Sequence, residues 1–349
     1  MGKRQMIIAA GVAGAVLVLL LVTWLVLRRG DISYATLEQR WAAPGSHYVD
    51  LPGGEHVHYL DQGNPKGPTV VLLHGFAMST DTWAAWTQKL GRDYRVIALD
   101  LPGYGLTRAP GNKPYSYQAM ADVVEAFAQA KHLGKVVVAG SSMGGGVAWR
   151  YALSHPERVR GLVLVDSSGW PEVNASVMNN GFVKAGENPV LRPILTQLDN
   201  GPTMRMGFRT SFADPSRVDA AYLKRYVDLS RAPGRRAIWF QTLGDWLRQD
   251  FATPERLAAI KAPTLILWGQ KDQLLPLADG RKFVADIPGA HLIVYPGVGH
   301  LPQEEAADRS AGDVIAFLRA IEPPAKKSAA PAAAAAAAST AKKPDPIFY

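Results

Sequence analysis

The stretch Val136-Val137-Val138-Ala139-Gly140-Ser141-Ser142-Met143-Gly144-Gly145-Gly146 joins an apolar strand pattern to a glycine-rich helix start through G-x-S-x-G, with Ser142 at its centre. A strand that turns this sharply into a helix strains the central backbone. The flanking residues must then be nearly free of side chain, as Gly140 and Gly144 are. Such a turn holds the Ser142 hydroxyl out at the end of the strand. Taken alone, the stretch also describes a helix start packed closely on a sheet, and only the rest of the chain separates the two readings.

A serine hydroxyl is a poor nucleophile near neutral pH, so a reactive Ser142 requires a general base, an acid that orients it, and donors for an oxyanion. The base expected is His300, in the loop Tyr295-Pro296-Gly297-Val298-Gly299-His300 that follows the apolar run His291-Leu292-Ile293-Val294-Tyr295. Of the other histidines, His47, His56, His58, His132, His155 and His291 lie in or beside elements that suit surface or packing roles. The acid expected is Asp272, just beyond Thr264-Leu265-Ile266-Leu267-Trp268-Gly269, a buried-strand pattern closed by glycine. Asp166, at the end of Gly161-Leu162-Val163-Leu164-Val165, is a rival one strand earlier; chain order and loop length favour Asp272. One oxyanion donor is the Met143 N–H, which opens the helix after Ser142 where unpaired donors and the helix dipole favour negative charge. The second is the Phe76 N–H, turned inward by Gly75 at the end of Thr69-Val70-Val71-Leu72-Leu73, with the His74 ring bracing the loop.

Apolar runs recur at 69–73, 95–99, 135–139, 161–165, 264–268 and 291–295, after a predicted antiparallel pair near 47–51 and 56–61. Helical stretches separate them, which predicts an α/β protein whose mostly parallel eight-stranded sheet is covered on both faces. The proposed groups then fall at strand C-terminal ends, where open α/β sheets bind ligands. The gap from 170 to about 250 is too long for a crossover and reads as an inserted helical cap. It carries Trp170, Met178, Phe182, Leu191, Leu195, Met204, Met206, Phe208, Phe212, Trp239, Phe240 and Trp246, most of them expected in the cap's own core and three or four facing substrate.

The order Ser142, Asp272, His300, with an oxyanion loop upstream, resembles the α/β-hydrolase superfamily over residues 45–321. Within it, His74-Gly75-Phe76, the turn Asp100-Leu101-Pro102-Gly103-Tyr104-Gly105 and Gly140-Ser141-Ser142-Met143-Gly144-Gly145 resemble the lipase and esterase branch, including membrane-anchored monoacylglycerol lipases. They are also similar to carbon–carbon bond hydrolases of aromatic degradation. Epoxide hydrolases and haloalkane dehalogenases share the fold but place aspartate where Ser142 stands, so the resemblance argues against their chemistries. It implies cleavage of a hydrophobic acyl ester through an acyl-enzyme, without metal or organic cofactor. The alternatives are a carbon–carbon bond hydrolase with the same three residues, or a non-enzymatic binding protein on this fold. The Asp100 turn reads as structural, shaping a loop near the pocket.

The net charge of +8 could suggest a nucleic-acid partner, but residues 1–29 carry +4 and residues 322–349 carry +2. Only +2 remains on the predicted domain of 30–321, without basic patches interleaved with aromatics, so no nucleic-acid partner is expected and the basic ends point to a membrane surface. Met6–Leu27 is 22 residues without a charge, enough for a bilayer-spanning helix, which needs about 20. Its bulky end, Thr23-Trp24-Leu25-Val26-Leu27, lacks a small-x-small cleavage site, so residues 1–29 read as a signal anchor. Lys3 and Arg4 with the terminal amine slightly outweigh Arg28 and Arg29, which places the tail in the cytoplasm and the catalytic domain outside. Residues 322–349 are alanine-, proline- and lysine-rich and read as a low-complexity tail. The chain has no cysteine, which excludes a thiol nucleophile or thiolate metal site.

Overall fold

Eight strands form one sheet in a computed structural model, in the order β1-β2-β4-β3-β5-β6-β7-β8. The structure describes residues 2–111, 113, 115–170, 185–186, 188–247 and 251–322. Helices α1 (Lys3–Leu27) and α2 (Tyr34–Trp41) precede β1 (Ser46–Asp50) and β2 (His56–Gly63), which pair antiparallel. There follow β3 (Thr69–Leu73), α3 (Ala84–Leu90), β4 (Arg95–Leu99), α4 (Tyr117–Ala130), β5 (Val136–Ser141), α5 (Met143–Ser154) and β6 (Val159–Val165). Between β6 and β7 (Thr264–Gly269) lie α6 (Arg192–Leu195), α7 (Gly201–Ser211), α8 (Ala220–Ser230), α9 (Arg235–Leu247) and α10 (Pro254–Ala258). Helix α11 (Leu277–Asp286), β8 (His291–Tyr295), α12 (Pro302–Glu305) and α13 (Ala307–Ile321) complete the chain's described elements.

The near-continuous apolar runs follow from burial on both faces. Val71, Leu73, Val138, Leu164 and Trp268 enter one core with α4, α5 and α11. Their alternate neighbours Val70, Leu72, Val137, Val163 and Leu267 enter a second core with Trp83, Trp86, Val314 and Leu318. The parallel register aligns Leu73 with Gly140, Gly140 with Leu164 and Leu164 with Ile266. Four strands therefore end in one row, and the residues that follow each are neighbours in space.

Helix α1 contains Gln5–Leu27, 23 residues of mean hydropathy 2.7 with none of that window buried, long and apolar enough to cross a membrane. Its end is joined to the segment between β6 and β7. Arg28 bridges Leu198, the Arg29 N–H donates to the Gln197 carbonyl at 2.7 Å, and the Asp199 N–H donates to Leu27 at 2.8 Å. The buried Arg236 guanidinium of α9 donates to the Arg29 carbonyl (2.9 Å) and to Asp31 (2.8 Å).

Candidate active site

Ser142 stands between β5 and α5 with φ 54° and ψ −116°, a left-handed conformation that costs a non-glycine residue about 1–3 kcal/mol. Its surroundings hold it there. Its N–H donates to the Val165 carbonyl at 2.9 Å, and its own carbonyl accepts from the Ser168 N–H (3.0 Å) and Ser168 hydroxyl (3.1 Å). A Cβ at Gly140 would collide with the Gly144 carbonyl, and one at Gly144 with the carbonyls of Leu73 and His74. Glycine at these two positions lets the helix start close against the ends of β5 and β3. Ser142 remains half-buried between buried Ser141 and Met143.

Past the ends of β7 and β8, the His300 Nδ1 and Asp272 Oδ2 lie 2.7 Å apart, with side-chain exposures of 5% and 0%. The other Asp272 oxygen accepts the N–H groups of Leu274 (2.7 Å) and Leu275 (3.0 Å), so the carboxylate is oriented from both sides. An ionised carboxylate only accepts; the imidazole therefore carries its proton on Nδ1 and leaves Nε2 as the basic atom. Asp166 is not the partner of His300. Its Oδ1 accepts the Gly269 N–H at 2.9 Å, and burial, then the neighbouring Asp272 charge, push its carboxyl well above the usual range. Asp166, Asp272 and His300 present ligand-type atoms within 4.8 Å of one another. Hydrogen bonding already engages His300 Nδ1 and both Asp272 oxygens, so the group reads as a proton-handling cluster rather than a cation cage.

The loop after β3 lies against Ser142: a Cβ at Gly75 would come within 3.3 Å of the Ser142 Cβ. His74 is fully buried, which lowers its pKa, and its Nδ1–H donates to the Gly75 carbonyl (2.8 Å) while Nε2 accepts the Leu101 N–H (3.0 Å). A neutral, doubly bonded ring is a brace, as its sequence position suggests. Asp100 braces the next loop, accepting the N–H groups of Thr80 (2.8 Å) and Leu106 (2.7 Å) and facing His58 Nδ1 at 2.6 Å. Burial alone would raise its carboxyl, but His58 and these donors outweigh that and hold it at about 2. Among the described residues, the Phe76 N–H makes no backbone hydrogen bond, and the Met143 N–H opens α5 without an intrahelical acceptor.

The roof joins Trp239, expected in the cap from the sequence, to charged and polar residues that the sequence does not flag. Arg235 of α9, 1% exposed, donates to four carbonyls: Gly105 (2.6 Å), Leu229 (2.5 Å), Tyr104 (3.3 Å) and Thr107 (3.2 Å). Trp239 donates to the Gly103 carbonyl at 3.0 Å and packs with Phe76 and Tyr104. Beside the base, Gln303 donates to Ser141 Oγ and Thr82 Oγ1, each at 3.2 Å. Glu304 accepts from Thr82 (2.5 Å) and from Tyr222 of α8 (3.4 Å), and burial pushes its carboxyl up to about 7. Glu305 accepts the N–H of Gly299 at 3.0 Å and, across the gap, that of Ala213 at 2.8 Å; His300 itself donates its N–H to the Ser211 carbonyl at 2.7 Å. Arg235, Gln303, Glu304 and Glu305 carry no spacing or motif that announces these contacts in the sequence.

Of the large apolar residues expected in the cap, Met204, Phe208, Phe212 and Trp239 are buried, whereas Leu191 and Met206 are exposed and enter neither core. Leu191 stands at the start of α6 and Met206 in α7. Met178, Phe182 and the side chain of Trp246 lie outside the described residues.

A sequence profile for the alpha/beta hydrolase fold matches residues 68–307. The chain belongs to this family. The dihydrolipoyllysine-residue acetyltransferase component of the acetoin cleaving system of Pseudomonas putida is 32% identical over 272 residues, covering 76% of this chain and 68% of the relative. Lipase 1 of Psychrobacter immobilis is 29% identical over 280 residues, 78% of this chain and 84% of the lipase. The 2-hydroxy-6-oxo-6-phenylhexa-2,4-dienoate hydrolase of Burkholderia cepacia is 29% identical over 260 residues, 72% and 87%. Among solved structures, a bacterial membrane phospholipase A superposes with a TM-score of 0.66 at 29% identity, covering 91% of this chain and 96% of its own.

Proposed function

We propose that this α/β hydrolase is a serine esterase acting on carboxylic esters of hydrophobic acyl groups, with Ser142 as nucleophile, His300 as base and Asp272 as its orienter. The observation that carries the reading is the His300 imidazole held on buried Asp272 beyond the same row of strand ends that carries the strained Ser142. His300 Nε2 takes the Ser142 hydroxyl proton as Oγ attacks the ester carbonyl. The N–H groups of Phe76 and Met143 receive the oxyanion, each such donor contributing about 3 kcal/mol to the transition state. Protonation of the leaving alcohol by His300 breaks the C–O bond and leaves an acyl-Ser142. Water, deprotonated by His300, then releases the acid and restores the serine. Water is the only co-reactant.

The apolar span Gln5–Leu27 supports an anchor, with a short cytoplasmic tail and an exported domain of residues 30–321. With the lipase and membrane phospholipase relatives, it favours a lipid ester such as a monoacylglycerol. The Burkholderia relative supports a second reading, carbon–carbon bond hydrolysis of a dienoate by the same three residues. Purified protein is expected to label with a fluorophosphonate and Ser142→Ala is not; equal labelling of the two would remove the nucleophile assignment. A panel of monoacylglycerols of increasing chain length, set beside a ring-cleavage dienoate, separates the two readings by kcat/KM.

A further inference from the structure

We infer that the outer face of the roof, from Asn188 to Ser211, is a second membrane-contacting surface that lies in the headgroup region of the bilayer entered by α1. The inference rests on the anchor reading above. Val190 is 75% exposed, Leu191 42%, Ile194 47% and Met206 59%, the largest apolar side chains that the described fold outside α1 leaves to solvent. They do not belong to the roof's interior: Met204 and Phe208 on the opposite side of α7 fill it.

Position and charge identify the occupant. Leu198 is bridged to Arg28, immediately past the last residue of α1, and Asp199 is bonded to Leu27. Ile194 lies in α6, four residues before the bridged Leu198. Backbone hydrogen bonds and the Arg236 contacts with Arg29 and Asp31 fix residues 197–199 to the point where the apolar helix ends, so the segment that carries the exposed side chains is tethered at the level where a bilayer around α1 would end. Between Asn188 and Ser211 the only acid is Asp199, already paired with Arg29 at 3.3 Å, against the bases Arg192, Arg205 and Arg209. Exposed apolar side chains interspersed with arginines and almost free of acids are the composition of an interfacial segment on anionic lipid. Such docking turns the roof, and the site beneath it, toward the lipid from which an ester would be drawn.

Because the chain has no cysteine, single substitutions place a reporter cleanly. Full-length Leu17→Cys, Val190→Cys, Met206→Cys and Ala130→Cys carry an environment-sensitive fluorophore in phosphatidylethanolamine–phosphatidylglycerol vesicles doped with nitroxide lipids. Ala130 ends α4, just before β5 begins, at the strand edge remote from the roof. The expected result is a blue shift and loss of roughly half the emission at positions 190 and 206 with headgroup-proximal nitroxides, quenching at 17 with deep ones, and none at 130. Quenching at 17 with 190 and 206 behaving like 130 overturns the docking surface and leaves the anchor standing. Silence at 17 overturns the anchor reading and the docking with it. A blue shift at 190 that persists in detergent and ignores nitroxide lipid assigns the face to protein instead, which also overturns the inference.

Discussion

Beneath Ser142 the chain is a sheet whose strands bury alternate residues in two cores and end in register. Above it, the segment between β6 and β7 is tied to that floor by a buried arginine, two glutamates and a few aromatic rings. The floor is held by nonpolar burial spread over dozens of side chains, which no single substitution abolishes. The roof shares one of those cores through Met204, Phe208 and Trp239, and adds polar contacts out of water, each of which depends on a partner and some on a proton. Changes to the floor's reactive edge should therefore stop chemistry while sparing the fold, and changes to the roof should alter stability and pH response.

The sharpest test is Ser142→Ala, expected to lower kcat by about 10⁶-fold with an unchanged circular dichroism spectrum. Next come the two carboxyls. Asp272→Asn removes the group that fixes the imidazole tautomer and should cost about 10⁴-fold in kcat, whereas Asp166→Asn touches a carboxyl that bonds the Gly269 N–H rather than His300 and should cost less than about tenfold. Equal losses in the two would erase the distinction drawn between them. In the roof, Arg235→Leu removes a donor from four buried carbonyls, that of Gly105 keeping no other among the described residues, and is expected to destabilise by about 2 kcal/mol in urea unfolding. The smallest effect belongs to Glu304. Its carboxyl ionises at the ordinary 4.5 when unfolded and at about 7 when folded, so between these values the folded state holds the extra proton and stability falls as pH rises. Glu304→Gln stays neutral and keeps an acceptor for Thr82, so its melting temperature should lose that decline between pH 4.5 and 7.

The same contrast governs what the sequence reveals. Strand runs such as Val70–Leu73 and Leu265–Leu267 are legible because double-sided burial demands apolar residues at every position, and the elbow is legible because only glycine fits at 140 and 144. Asp272 stood out from Asp166 by chain order, and the structure adds the reason: His300 bonds the former, while the latter is buried against the Gly269 N–H. Arg235, Glu304 and Glu305 were not legible, since each finds its partners by tertiary contact across the gap and no spacing announces it. Leu191 and Met206 read as interior because hydropathy does not distinguish a core from a surface that meets a nonaqueous phase.

The two bonds that cross from the base's loop to the roof, His300 N–H to Ser211 and Ala213 N–H to Glu305, make the catalytic base a tenant of both halves. Any excursion that lifts residues 211–213 to admit a bulky substrate also loosens the backbone on which the imidazole sits. On the proposed mechanism, an open mouth would have a slack base, and reclosure would tighten it. A stray water entering the gaping site would meet a poor catalyst, and a seated ester a good one.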